Sequence, residues 1–299
     1  FRVELFKGKS HFGENAAFDE TLSTNYLADE VIDDNKVDAL LAKKYDETIV
    51  IAEDDPEILA YLKDELSTNF RVIAVNNGYD AVKAVMDNEV SLILSDVLMP
   101  ALNGFQLCSN IKSNIATCHI PIVLLTALSD DNQRIYGIAE GADEYIHKPF
   151  NMQYVRLKII RIIEERRRLA DTFAQKFGRL TRHEAANLPC VDDVFRDKLF
   201  DLIEAQHSDS NFKIELMSDM LGMSRILLYR KITSIFGMSP SDLLRNFRLQ
   251  KAVQLLTDQR RNVSEVAYTV GFSSPAYFAK CFKSVYNMTP TEYMYRTRE

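Results

Sequence analysis

Tryptophan is absent from this 299-residue chain, and glycine and proline are sparse, at 10 and 8. Charge is near average, so the composition is that of an ordinary soluble globular protein. Only four cysteines occur, Cys108, Cys118, Cys190 and Cys281, scattered and without a C-x-x-C pair. That spacing disfavours zinc and disulfides and favours free core thiols in a reducing cytosol. The five histidines form no metal-ligand spacing either. No apolar run approaches the roughly 20 residues needed to span a bilayer, and no signal peptide is visible. The expectation is a cytoplasmic chain with no membrane contact of its own. The length suits two or three domains. Because the chain opens on Phe1 rather than Met, it is expected to be a segment of a longer polypeptide.

What is present is unevenly spread. Residues 213–299 carry 13 Lys+Arg against 7 Asp+Glu, a net of +6, while residues 1–212 carry 23 against 36, a net of −13. An acidic front and a basic rear suggest a nucleic-acid-binding C-terminal module fused to something else. Residues 1–8 alternate apolar and polar like a single half-buried strand whose partners would lie upstream. Residues 9–47 are polar and acidic with little periodicity and read as a linker.

From Thr48 to Phe150 strands and helices alternate. Strands are expected at Thr48–Ala52, Arg71–Val75, Leu92–Ser95, Ile120–Leu125 and Glu144–His147. Helices are expected at Pro56–Leu66, Tyr79–Met86, from Phe105 to Ile111, and at Asn132–Glu140. Strict alternation over about 100 residues argues for a doubly wound, five-stranded parallel sheet. The third strand delivers Asp96 to its far end, where Met99-Pro100 turns the chain away.

In open α/β sheets, ligands bind just beyond the carboxyl ends of such strands. Alone, Asp96 would be most simply a helix cap. It is not alone: Glu53 and Asp54 end the first strand, Thr126 the fourth and Lys148 follows the fifth, so all five should converge on one edge. Three crowded carboxylates repel unless a hard cation neutralises them, and oxygen ligands with positions left for water suit Mg²⁺. With a Lys and a Thr hydroxyl for anionic oxygens, the inventory fits phosphoryl transfer onto a carboxylate.

Phe150–Phe177 reads as a long charged helix with a stripe at Val155, Ile159, Ile162, Leu169 and Phe173, interrupted by Arg166. That stripe suits packing on the sheet domain or a homodimer through 150–177. Leu188-Pro189 marks a boundary, and Val191–Gln206 is a further helix. Beyond it lies a repeat at a spacing of about 50 residues. Gly222-Met223-Ser224 parallels Gly271-Phe272-Ser273, and Met238-Ser239-Pro240 parallels Met288-Thr289-Pro290. Each unit reads as helix, Gly turn and Ser-capped helix, which is the helix-turn-helix pattern. Leu228 with Ile232, and Phe278 with Phe282, should face the core. Arg225, Ile226, Tyr229 and Arg230 then lie outward in the first unit, and Ala276, Ala279, Lys280 and Lys283 in the second. Such side chains can reach bases and flanking phosphates of double-stranded DNA.

The C-terminal repeat resembles the AraC-type DNA-binding domain, two helix-turn-helix units joined by a long helix, here about Pro240–Thr257. The resemblance implies one domain reading two successive major grooves, with RNA polymerase as a further partner. Thr48–Phe150 resembles the receiver domain of two-component signalling, of flavodoxin-like fold. That resemblance implies that Asp96 accepts phosphate from a phospho-histidine. Asp54, Asp96 and the Leu98 carbonyl would hold Mg²⁺, with Glu53 helping directly or through water. Lys148 would pair with the phosphate, the Lys148-Pro149 bond would be cis, and Thr126 and Tyr145 would form a switch pair. A haloacid-dehalogenase-like phosphatase, also Mg²⁺-dependent with an Asp nucleophile, needs a second Asp two residues on, where this chain has Leu98.

Phe1–Gly8 is similar to the last strand of a histidine-kinase ATP-binding domain. The order resembles the hybrid two-component regulators of Bacteroides-type bacteria, with the kinase in cis and the parent anchored in the inner membrane. The alternative is a free-standing response regulator with a separate kinase. No nucleotide-binding box or acceptor-His segment lies in these residues, so no kinase activity is expected of them. The implied division is 1–8 kinase strand, 9–47 linker, 48–150 receiver, 151–190 connecting helix and linker, and 191–299 DNA-binding domain.

Overall fold

The computed structural model describes residues 34–127, 141–177, 192–257 and 261–296. The strand expected at Phe1–Gly8, the helix expected at Asn132–Glu140, the Leu188-Pro189 boundary and Cys190 lie outside the described residues. Asp34–Ala42 form α1, and the residues from Leu41 onward form one compact unit.

β1 (Thr48–Ala52), β3 (Leu92–Asp96) and β4 (Ile122–Thr126) are runs of β-branched and aliphatic residues. β3 and β4 are buried throughout, as befits strands covered on both faces. With β2 (Arg71–Val75) and β5 (Glu144–His147) they make an all-parallel sheet in the order β2-β1-β3-β4-β5. This is the flavodoxin-like order, whose switch point lies between β1 and β3. Helices α2 (Pro56–Ser67), α3 (Gly78–Asp87) and α4 (Gly104–Ser113) alternate with these strands. Each begins on a side-chain cap. Asp55 accepts from Glu57 N and Ile58 N, Asn77 from Asp80 N, and Asn103 forms a capping box with Gln106.

α5 (Met152–Phe177) leaves the sheet domain and continues into the next. Its buried positions are Met152, Val155, Ile159, Ile160, Ile163, Ala170 and Phe173. The expected stripe is thus confirmed at Val155, Ile159 and Phe173, while Ile162 and Leu169 are only half-buried. The helix is turned because two different partners cover it, the sheet domain at its start and the helical domain at its end. Arg166, the expected interruption, donates to the His119 carbonyl and to Asp143 Oδ1, the latter at 2.8 Å.

The helical domain follows as α6 (Asp193–Gln206), α7 (Ile214–Met220), α8 (Arg225–Phe236), α9 (Pro240–Leu256), α10 (Val263–Thr269), α11 (Pro275–Tyr286) and α12 (Pro290–Arg296). The repeat holds at the level of single hydrogen bonds. Gly222 and Gly271 take φ of +69° and +87°, which suits glycine, and each donates to the carbonyl three residues back, Asp219 and Tyr268. Met223 N and Phe272 N then reach five residues back, to Ser218 and Ala267. The second unit carries one extra residue before its helix. The cap is therefore Ser274, accepting from Tyr277 N, rather than Ser273, the expected counterpart of Ser224. Leu228, Ile232, Phe278 and Phe282 are fully buried.

Candidate functional site

The parallel register brings the five chemistry-bearing side chains to one edge. Ala52 pairs with Ser95, Asp96 with Leu125, and Thr126 with His147. The next residues, Glu53 and Lys148, therefore flank Asp96 where the strands end. The consecutive acids 53–55 divide their labour. Glu53 is buried, Asp54 is exposed, and Asp55 is spent on capping α2.

Lys148 holds the centre. Its Nζ lies 2.9 Å from Glu53 Oε2 and 3.1 Å from Asp96 Oδ2. Burial alone would discharge this lysine, but its bonds to Glu53 and Asp96 prevail and its pKa stands above the usual value. Burial pushes the Glu53 carboxyl upward, and the nearby Asp96 charge adds to that. The Lys148 bond works against both without cancelling them. The second Asp96 oxygen, Oδ1, accepts from Val97 N at 2.8 Å, which fixes the carboxylate's orientation. Glu53, Asp54 and Asp96 each offer an oxygen within 4.8 Å of one another. This donor set fits a hard divalent cation, with exposed Asp54 leaving room for water.

Thr126 is buried at the end of β4, and its carbonyl accepts from Lys148 N at 2.7 Å. Tyr145 is half-buried and packs against the core cluster containing Val97 and Leu124. The Leu98 side chain is exposed, and the Lys148-Pro149 peptide is cis. Gly104, the first residue of α4, is a positioning residue. A Cβ there would fall under 3.0 Å from the Asp96 carbonyl and Val97 Cα. Gly104→Ala should cost about 1–3 kcal/mol by forcing backbone apart. Urea denaturation measures that loss, and an unchanged midpoint would show that the loop yields freely.

The second candidate surface lies on α8 and α11. Ile226 and Tyr229 are exposed, and Arg225 is exposed with its guanidinium 3.1 Å from Glu215 Oε1. Arg230 is half-buried and donates to the carbonyls of Met86 and Asp87 at 3.2 and 3.0 Å. In the second unit Ala276, Lys280 and Lys283 are exposed and Ala279 is half-buried. Sequence reasoning missed Lys231, which lies one residue beyond Arg230 and is fully buried. Its Nζ sits 2.6 Å from Asp192 Oδ2, 3.2 Å from Cys118 Sγ and 4.4 Å above the Phe195 ring, and donates to the Ile115 carbonyl.

No helix among the described residues is long and apolar enough to cross a membrane. Residues 49–160 match the response regulator receiver domain family, and residues 217–296 match a helix-turn-helix domain family. A histidine kinase, P4 of Formosa agariphila, is 36% identical over 311 residues, covering all of this chain and 22% of its own length. The transcriptional regulatory protein GltR of Pseudomonas aeruginosa is 38% identical over 113 residues, 38% of this chain and 47% of its own. The chain therefore spans under half the length of either relative. The solved receiver domain of a Syntrophus aciditrophicus histidine kinase is 34% identical, covers 40% of this chain and 91% of that one, and superposes with a TM-score of 0.38. Residues 49–160 are thus similar to response regulator receiver domains and residues 217–296 to helix-turn-helix domains.

Proposed function

We propose that Asp96 accepts a phosphoryl group from a phospho-histidine and that this changes how the C-terminal domain holds double-stranded DNA. The observation that carries the reading is Lys148, bridging Glu53 and Asp96 at the sheet edge beside Thr126. In the transfer an Asp96 oxygen bonds to phosphorus, the P–N bond breaks, and the imidazole leaves with the electron pair and takes up a proton. Lys148, already within an ion pair of Asp96, moves onto the incoming oxygens, and the Thr126 hydroxyl supplies a further hydrogen bond. Glu53, Asp54, Asp96 and the Leu98 carbonyl would hold Mg²⁺, which neutralises charge on the phosphoryl oxygens. Tyr145, half-buried against the core cluster, turns inward to follow the Thr126 hydroxyl and passes the change on. The aspartyl-phosphate phosphatase reading lacks its second Asp, since Leu98 stands there.

Arg225, Ile226, Tyr229 and Arg230 on α8, with Ala276, Ala279, Lys280 and Lys283 on α11, form the DNA-reading surface. A kinase on the same polypeptide, in the manner of the Bacteroides-type hybrids, is favoured by the P4 match, which runs the full length of this chain. The domain division, with receiver over 48–150 and DNA-binding domain over 191–299, is supported by where the sheet ends and the helices begin. RNA polymerase is the further partner. A homodimer through 150–177 would need α5 to leave its intramolecular partners or to pair through its charged outer face.

The test is incubation with acetyl phosphate and Mg²⁺. The expected product is a hydroxylamine-labile adduct which, after borohydride reduction, maps to residue 96. A stable adduct, or one on another residue, would sink the assignment.

A further inference from the structure

The two recognition helices are not equally free. On α8, Leu227, Arg230, Lys231 and Ser234 recur at three- and four-residue spacing and so share one flank. At Arg230 and Lys231 that flank meets the receiver, while Ser234 is exposed. Arg230 donates to Met86 O and Asp87 O in the last turn of α3, where unsatisfied carbonyls favour a cation. Lys231 is fully buried against Asp192 Oδ2 at 2.6 Å, and also contacts Ile115 and Cys118 of the receiver. At the end of α8, Phe236 meets Phe173 of α5 at 4.8 Å, and a Cβ on Gly237 would lie 2.8 Å from the Ala170 carbonyl. The first unit's apolar core accordingly includes Phe173, with Ile115 packed on it.

The second unit has its own core, drawn from Leu249, Val266, Phe272, Phe278, Phe282 and Met294, with no receiver or α5 residue among its members. On α11, Ala276, Tyr277, Lys280 and Lys283 face outward. A helix with its side chains is about 10–12 Å across and a B-DNA major groove about 12 Å wide, so an occupied helix must have both flanks clear. Among the described residues α11 meets that condition and α8 does not. The receiver stretch 48–150, with 15 Asp+Glu against 6 Lys+Arg, would further repel phosphates near α8.

We infer that in this arrangement the C-terminal domain engages DNA through its second helix-turn-helix unit alone, and that α8 enters a second groove only after leaving the receiver. The inference rests on the DNA-binding reading above and adds an order of engagement, α11 first and α8 second. Arg230 has two exclusive partners, the α3 carbonyls or DNA.

The test uses the whole chain. Duplexes are selected from a random 40-base-pair pool by acetyl-phosphate-treated protein with Mg²⁺, then hydroxyl-radical footprinted. The samples are the untreated chain, the treated chain and Asp192→Asn. Asn keeps the cap of α6 but leaves Lys231 buried without its counter-ion, which favours undocking. The untreated chain should protect one groove segment. The treated chain and Asp192→Asn should protect two, about one helical turn apart. Ile226→Ala should weaken binding by the treated chain about tenfold, the cost of one lost base contact. Two grooves protected by the untreated chain, or one groove in every sample, overturns the inference. A pool that yields no bound duplex in any state overturns the DNA-binding reading itself.

Discussion

Asp96→Asn should abolish acetyl-phosphate labelling outright while leaving the sheet domain folded. The amide keeps the size of the side chain, and its oxygen can still accept from Val97 N, the bond that orients Asp96 in the structure. What disappears is the nucleophile, since an amide oxygen does not form an acyl phosphate. The electrostatic consequence runs the other way. The Asp96 charge is one of the causes that hold the Glu53 carboxyl above its usual range. Removing it relieves a buried pair of like charges, and Lys148 remains to pair with Glu53 at 2.9 Å. The variant should therefore melt at or above the temperature of the parent chain at pH 7. A group whose pKa is raised on folding contributes stability below its unfolded pKa and loses it as pH rises through the folded value. For Glu53 in the parent chain that loss occurs on going from acid toward neutrality, and in Asp96→Asn it should be smaller. Phosphate-affinity electrophoresis reads the label and thermal melts at pH 5 and 7 read the stability. A labelled Asp96→Asn chain would move the acceptor elsewhere.

Much of this site was legible before any coordinates. The Leu92–Asp96 run, the Glu53-Asp54-Asp55 triplet and Lys148-Pro149 each sit at a strand end, and a parallel sheet leaves strand ends nowhere to go but one edge. The duplicated glycine turns were legible for the same reason, because the left-handed backbone at Gly222 and Gly271 limits which residues serve there. What could not be read was how the domains meet. Lys231 follows Arg230 on a basic helix, and local spacing gives no reason to bury it. Its partners Asp192 and Ile115 are 39 and 116 residues away. Arg166 was visible only as a break in an apolar stripe, because its acceptors at His119 and Asp143 belong to a surface that periodicity does not describe. The extra residue that shifts the second cap to Ser274 was hidden by a three-residue match that held equally well at Ser273.

Lys231→Ala should destabilise the chain by about 3–5 kcal/mol, the cost of breaking a buried pair by removing one partner. The ammonium is wholly inaccessible and answers a carboxylate, a carbonyl and an aromatic face at once. Taking it away strands Asp192, whose carboxyl resists the upward push of burial and stays below its ordinary range because Lys231, Cys118 and Phe195 N all favour its charge. That depressed pKa contributes stability above the unfolded value and loses it as pH falls, so the alanine variant should lose part of the parent's acid sensitivity. His119 works in the same direction. Burial, with Lys231 and Arg166 beside it, keeps its pKa well below 6.5, so folding excludes a proton that the unfolded chain binds as pH falls below that value. Replacing both partners separates the cost of a stranded charge from the value of the pair. Lys231→Met with Asp192→Ser restores an apolar contact at one position and keeps a hydroxyl cap for α6 at the other. Buried pairs replaced by well-packed residues are often neutral, so the double variant should recover to within about 1–2 kcal/mol of the parent. Urea midpoints at pH 7 measure all three chains. A double variant as unstable as Lys231→Ala would mean that the pair itself, rather than the avoidance of a lone buried charge, carries the stability.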